Sequence, residues 1–149
     1  VYLKENSAAV FIRGLEAETE YEIALNWLAY AGATYTYGQN VTANEPFRRI
    51  PPLNGRIGLT YQPATWWARA ELLMAGAQTR LAAGDRGDNR IATGGTPAWR
   101  VVNLNGGYRC KSLTISAELQ NLTNEAYRTH GSGVDGVGRS AWLSVLVNW

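Results

Sequence analysis

Residues 15–23 read LEAETEYEI, nine residues in which two chemistries alternate without a break. Leu15, Ala17, Thr19, Tyr21 and Ile23 take the odd positions, and Glu16, Glu18, Glu20 and Glu22 the even ones. Successive side chains of a strand point to opposite faces, so one face carries four carboxylates and the other is largely apolar. Four readings of such a strand are open: the wet side of a soluble sheet, a row of catalytic acids, a cation site, or the inner wall of a membrane barrel.

The same period of two recurs along the chain. It runs through WLAYAGATYTYG (27–38), NGRIGLTYQ (54–62), WWARAELLMAGAQ (66–78), WRVVNLNGGYR (99–109), LTISAELQN (113–121) and AWLSVLVNW (141–149). The expected architecture is therefore all-β, an antiparallel up-and-down meander of about seven long strands. Most are nine residues or more, whereas ordinary strands run about 5–6 and a tilted bilayer-crossing strand about 9–11. Residues 66–84 also carry Ala and Leu at helical spacing, with Trp66, Ala70, Leu73 and Ala77 on one stripe. A strand is expected there because strands flank it on both sides.

Connections alternate in length. ALN (24–26), PAT (63–65) and CKS (110–112) are short, whereas 39–53, 80–98 and 123–138 are long. Loops beyond about 12–15 residues are uncommon in compact soluble domains, but short–long alternation is normal in outer-membrane barrels. Composition agrees: charged residues are 17%, six Trp and eight Tyr stand against two Phe, and no apolar run approaches a spanning helix. A net charge of +2 with scattered basic residues gives no reason to expect nucleic acid. One cysteine, Cys110, rules out an internal disulfide framework. The sequence opens on VYLKENSAAV rather than on Met and a leader, as expected of a piece of a longer chain.

The final third carries a family pattern. ELQNLTNEAYRTHGSG (118–133) resembles the penultimate strand of TonB-dependent outer-membrane receptors running into an Asn-Leu-Thr-x-x-x-Tyr loop. GRSAWLSVLVNW (138–149) resembles their last strand, entered by Gly-Arg and ended by an aromatic residue, with Val137 where the family often has Pro. ENSAAVFIRGLEAETEYE, with Asn6 ahead of Gly14-Leu15-Glu16, and FRRIPPLNGRIGLTY are similar to two earlier segments, in the family's order.

The resemblance implies that residues 1–149 are the C-terminal segment of a barrel of 22 strands in the bacterial outer membrane. It implies energised uptake of a scarce nutrient (siderophore iron, haem, cobalamin, another metal complex or a sugar) and no enzyme activity. Its partners would be outer-membrane lipid, the remaining strands and the plug domain, TonB reached through the missing N-terminal part, and a small-molecule or metal-chelate substrate.

Candidate sites follow from this frame. Four equivalent acids on one strand lack the asymmetry of a general acid–base pair, so no catalytic residue is expected. Glu16, Glu18, Glu20 and Glu22 then face the lumen, with Arg56, Arg69, Glu71 and Glu118 on the polar faces of other strands and able to pair with them. Tyr35, Tyr37, Tyr61, Trp66, Tyr108 and Trp149 are expected as interface aromatics. Loop residues Arg48, Arg49, Arg86, Arg90, Arg128 and His130 are the ligand candidates, because guanidinium forks suit anionic chelates. GDRGDNR (84–90) lacks the ligand spacing of a calcium loop and is expected to be solvated; no metal site and no cofactor is expected. Two rivals stay open: a soluble β-sandwich carbohydrate-binding module, and another outer-membrane barrel such as a porin or barrel enzyme.

Overall fold

A computed structural model describes residues 8–149, so Asn6 lies outside the described residues. Seven long strands form one antiparallel sheet: β1 (Val10–Ala24), β2 (Trp27–Asn40), β4 (Asn54–Tyr61), β5 (Trp66–Ala75), β6 (Trp99–Cys110), β7 (Leu113–Gln120) and β8 (Ser140–Val147). An eighth, the two-residue β3 (Glu45–Pro46), pairs with the loop end of β2. The order β1-β2-β4-β5-β6-β7-β8 is that of an up-and-down meander, with β1 and β8 at the edges. The only helix among the described residues is α1 (Ala83–Arg86), one turn inside the second long loop. Among the described residues no helix is long and apolar enough to cross a membrane, which says nothing about strands.

The short turns sit together at one end of the sheet. Asn26 and Lys111 adopt φ of 65° and 51° in the two tightest, a conformation that Asn tolerates better than most side chains. Residues 66–75 are strand, and the chain leaves the sheet before it could extend a helical stripe.

Register keeps the two chemistries on separate faces across strands. Glu18 opposes Gly32, which opposes Arg56, which opposes Leu73. One step to either side, Ala17 opposes Ala33, which opposes Gly55, and Thr19 opposes Ala31, which opposes Ile57. The second face is apolar and bare: Leu15 is 72% exposed, Tyr21 69% and Leu143 74%. An apolar surface of this extent marks a membrane or a partner, since isolated soluble domains rarely expose one. Buried apolar side chains lie instead at the loop end: Ile50, Leu81, Ala82 and Ile91 in the loops, and Ala75 and Val101 at the adjoining ends of β5 and β6.

Candidate functional site

On the polar face, strand pairing brings residues distant in sequence into lateral rows. Arg56 Nη2 donates to Glu18 Oε1 at 2.9 Å, both half-exposed, so solvent screens the pair and its worth is small. The Tyr30 hydroxyl donates to Glu71 Oε2 at 2.7 Å. Arg69 Nε donates to Thr60 Oγ1 at 3.1 Å, and its guanidinium lies 5.4 Å from the Tyr30 ring centre. Glu118 accepts from Gln120 Nε2 at 2.8 Å. Glu16, Glu20 and Glu22 share this face through the strand alternation but form no ion pair among the described residues.

The Tyr30 phenol reaches Glu71 by lying flat across Gly58, where an added Cβ would overlap the ring. Gly58→Val should therefore expel the ring and break the bond to Glu71. We expect a loss of about 1–3 kcal/mol, combining overpacking with an orphaned carboxylate. Denaturant unfolding of the full-length protein in detergent checks this, with Gly87→Val, whose Cβ position is open, as the comparison.

Three long loops fold over one end of this face. Their hub is acidic: Asp85, 1% exposed, accepts from the backbone N–H groups of Arg49 at 3.2 Å and Ala82 at 3.3 Å and from Arg48 Nε at 3.5 Å. Asp88 takes Arg49 Nη2 at 3.1 Å and Arg90 Nη2 at 2.7 Å, with Arg48 Nη2 at 3.6 Å. The expectation of a solvated 84–90 loop is thus corrected: its two carboxylates are buried anchors that tie residues 48–49 to residues 85–90. Arg128 Nε pairs with Asp135 at 2.7 Å in the last loop. That hydrogen bond holds the Asp135 carboxyl below, and Arg128 above, its usual range. Of the six loop candidates, Arg48, Arg49, Arg90 and Arg128 are engaged by internal carboxylates, and Arg86 is exposed outside these pairs.

His130 is placed differently. Its Nδ1 lies 2.8 Å from Thr96 Oγ1, and its Nε2 is buried with no hydrogen-bond partner among the described residues. Thr96 is fixed by backbone bonds to Gln78, whose side chain donates to the Ile50 carbonyl at 2.7 Å, so the ring braces two loops. Burial pushes the imidazole pKa below its usual 6.5, against an opposing pull from Asp85 and Asp88. The unfolded chain then binds a proton more readily than the folded one, so stability rises with pH through this interval. The cap is expected to keep its full stability above pH 6.5 and to loosen as pH falls from there through the lowered folded value. Hydrogen exchange at Thr96 and Gln78 across that range checks it, and His130→Gln should flatten the profile.

Beneath this cap lies a cavity of about 320 Å³. Thr34, Asn54 and the Glu18–Arg56 pair contribute its polar side, Pro51–Pro52 and Trp99 its walls, and Thr129 and His130 its loop side. A larger concavity of about 580 Å³ includes the small side chains of Ala17, Ala31, Ala33 and Gly55 with Ile57 and Met74, all apolar-face positions, and it gathers few polar atoms. The cavity under the cap has the convergent polar groups expected of a small-molecule site. No group of three or more His, Cys, Asp or Glu that could hold a metal occurs among the described residues.

Asn121 escaped the sequence reading, although it opens the Asn-Leu-Thr motif. It is 1% exposed with φ 49°; its amide donates to the Glu125 and Val137 carbonyls at 2.9 Å and its Oδ1 accepts from Glu125 N–H at 2.8 Å. Among the aromatics, Tyr61 and Trp66 meet at 5.0 Å between ring centres, and Trp27, unassigned from sequence, adds a contact to Tyr61 at 4.6 Å. Tyr108 is paired with Trp66 and Trp149 follows β8, so these mark the short-turn end of the apolar face; Tyr35 and Tyr37 mark its loop end.

The family model for the TonB dependent receptor-like β-barrel matches residues 2–122. Among solved structures, the copper transporter OprC is similar, with 28% sequence identity and a TM-score of 0.83 over 93% of this chain. The chain spans 23% of the length of that one. No curated protein sequence matches significantly.

Proposed function

The chain belongs to the TonB-dependent receptor β-barrel family and is an outer-membrane protein, and from that premise we propose that it forms the closing strands of a barrel for TonB-energised nutrient uptake. The observation that carries the proposal is the separation of a bare apolar face from a polar face capped by long loops. In such a barrel the apolar face meets lipid and the polar face lines the lumen. Glu16, Glu18, Glu20, Glu22, Arg56, Arg69, Glu71 and Glu118 then belong to the inner wall, facing a plug domain supplied by the rest of the protein.

Dimensions support this orientation. Trp27 to Tyr37 is ten residue steps, about 34 Å along a strand at roughly 3.4 Å each. At a tilt of about 40° that is roughly 26 Å of height, close to the apolar band of about 25 Å in outer-membrane barrels. Outer-membrane barrels keep short turns on the periplasmic side and long loops outside, so in this reading the Trp27–Tyr61–Trp66–Tyr108 row at the short-turn end belongs to the periplasmic interface and the long loops to the cell exterior.

Because four loop arginines are spent on internal carboxylates, the substrate is read mainly by hydrogen bonding and stacking in the cavity below the cap, by Asn54, Thr129 and Trp99, with His130 bracing the loop side. That chemistry suits an organic chelate or another compact polar nutrient. The likeness to a copper transporter puts copper complexes in the test alongside ferric siderophores, haem, cobalamin and sugars. The experiment is deletion and restoration of the full gene, with accumulation of each substrate measured in cells with and without TonB. One substrate should be taken up only when both gene and TonB are present. Uptake that ignores TonB would favour a passive porin.

A further inference from the structure

We propose that Arg13, Tyr37 and Arg80 form an outer-wall clamp for the phosphate of an outer-leaflet glycolipid. Arg13 of β1 lies 5.1 Å from the centre of the Tyr37 ring, and Arg80, from the second long loop, lies 4.2 Å from the same centre. One phenol therefore holds two guanidinium groups within roughly 10 Å of each other, about a Debye length at 0.1 M salt. Neither makes an ion pair among the described residues, although five other arginines of the chain do. Like charges so close repel, and a multivalent anion that reaches both guanidinium groups past the ring edge offsets that cost.

The pair is also held in place. Phe11 stacks on Tyr37 at 5.8 Å and lies 5.9 Å from the Arg13 guanidinium. On the Arg80 side, Gln39 Oε1 accepts from Arg80 Nη2 at 3.0 Å and from the Tyr37 hydroxyl at 3.3 Å. A guanidinium has five N–H donors, so Arg80 keeps most of its own for a ligand, and planar forks bind phosphate oxygens in pairs.

Position selects the ligand. Phe11, Arg13, Tyr37 and Gln39 all stand on the apolar face, at the loop end of β1 and β2. That is roughly 26 Å above the periplasmic aromatic row by the strand geometry given above. It is the level of outer-leaflet headgroups, on the side of the wall away from the lumen. A phosphate joined to acyl chains satisfies both the cations and the bare apolar face below them, whereas a soluble anion satisfies only the first. Arg100 of β6 stands on the same face, also without an ion pair among the described residues, and extends the positive rim sideways. The inference rests on the proposed orientation, with the long loops outward.

The test uses the full-length protein, delipidated in detergent, with thermal unfolding followed as lipid A is added. The expected result is a rise in unfolding temperature that lipid A lacking phosphate fails to produce. Arg13→Gln with Arg80→Gln should weaken lipid A binding by at least about tenfold, a 1.4 kcal/mol change. Arg80→Gln alone, a loop change that leaves every strand intact, should weaken it in the same direction. Lys111→Gln, at the opposite end of the sheet, should not. Equal binding by the arginine variants, equal binding of the dephosphorylated lipid, or the same rise with inorganic phosphate alone would overturn the clamp. Substrate accumulation in cells is read separately and is expected to survive in Arg80→Gln, so failure of the lipid assay with uptake intact removes the clamp and leaves the transport reading standing.

Discussion

Ile57→Arg is expected to stop the full-length protein from assembling in the membrane, at a cost of about 2–4 kcal/mol. Ile57 is 47% exposed on the apolar face and pairs with Ala31 and Leu72. It lies four residue steps from the Trp27–Tyr61 row, near the middle of a band about 25 Å tall. A guanidinium there has neither water nor a counter-ion, and its stem is too short to reach either interface without distorting the sheet. Glu20→Gln, on the opposite face, should cost no more than about 0.5 kcal/mol, since Glu20 is exposed and unpaired among the described residues. Heat-modifiable migration of outer-membrane fractions checks both, the arginine variant losing the folded band and the glutamine variant keeping it. In a soluble sheet with a wet second face the two would differ little.

Asn121→Leu should release the last loop. The native amide joins three backbone groups of residues 125 and 137, and removal leaves two carbonyls and one N–H without partners in a site that is 1% exposed. A buried orphan costs about 1–3 kcal/mol, but Val137 is 56% exposed and its carbonyl can turn to water, so a total of about 2–3 kcal/mol is expected, with added strain because φ is 49°. Asn121→Asp should be nearly as harmful, since a carboxylate would face the Glu125 and Val137 carbonyls without a proton to offer. Protease added to whole cells should cut within residues 121–139 in both variants and spare the native chain. Native resistance in Asn121→Leu would mean that the loop is held by something other than Asn121.

The strands were legible because each carries its own evidence. LEAETEYEI states its alternation within nine residues, and a neighbour is needed only to say which face is which. The 66–84 segment was less plain: Ala and Leu suit both periods, and it is the edges of β4 and β6 that hold residues 66–75 extended. Beyond them the helical tendency survives only as the single turn of α1. β3 has two residues and exists because it lies against β2, so no local pattern announces it.

The loops were opaque for a different reason. Asp85 and Asp88 looked like solvated loop acids because their partners, Arg48 and Arg49, are remote in sequence and meet them only after the sheet brings both loops to one end. Of the loop arginines, read as ligand forks from residue type alone, Arg48, Arg49 and Arg90 are taken up by those two acids and Arg128 by Asp135, while Arg86 stays outside these pairs. The Tyr30–Gly58–Glu71 contact is likewise a product of register, since nothing at Tyr30 names a glycine on another strand. His130 was visible as the single histidine, but its bracing contact to Thr96 was not.

The central claim is that one face of this sheet meets lipid and the other a watery lumen, and β5 allows it to be read one residue at a time. In full-length protein carrying Cys110→Ser, each position from 69 to 74 is replaced singly by cysteine, labelled with a fluorophore and exposed to brominated lipid. Quenching should alternate, strong at Ala70→Cys, Leu72→Cys and Met74→Cys and weak at Arg69→Cys, Glu71→Cys and Leu73→Cys. Uniform quenching, none at all, or the inverse alternation would contradict the assignment of the two faces.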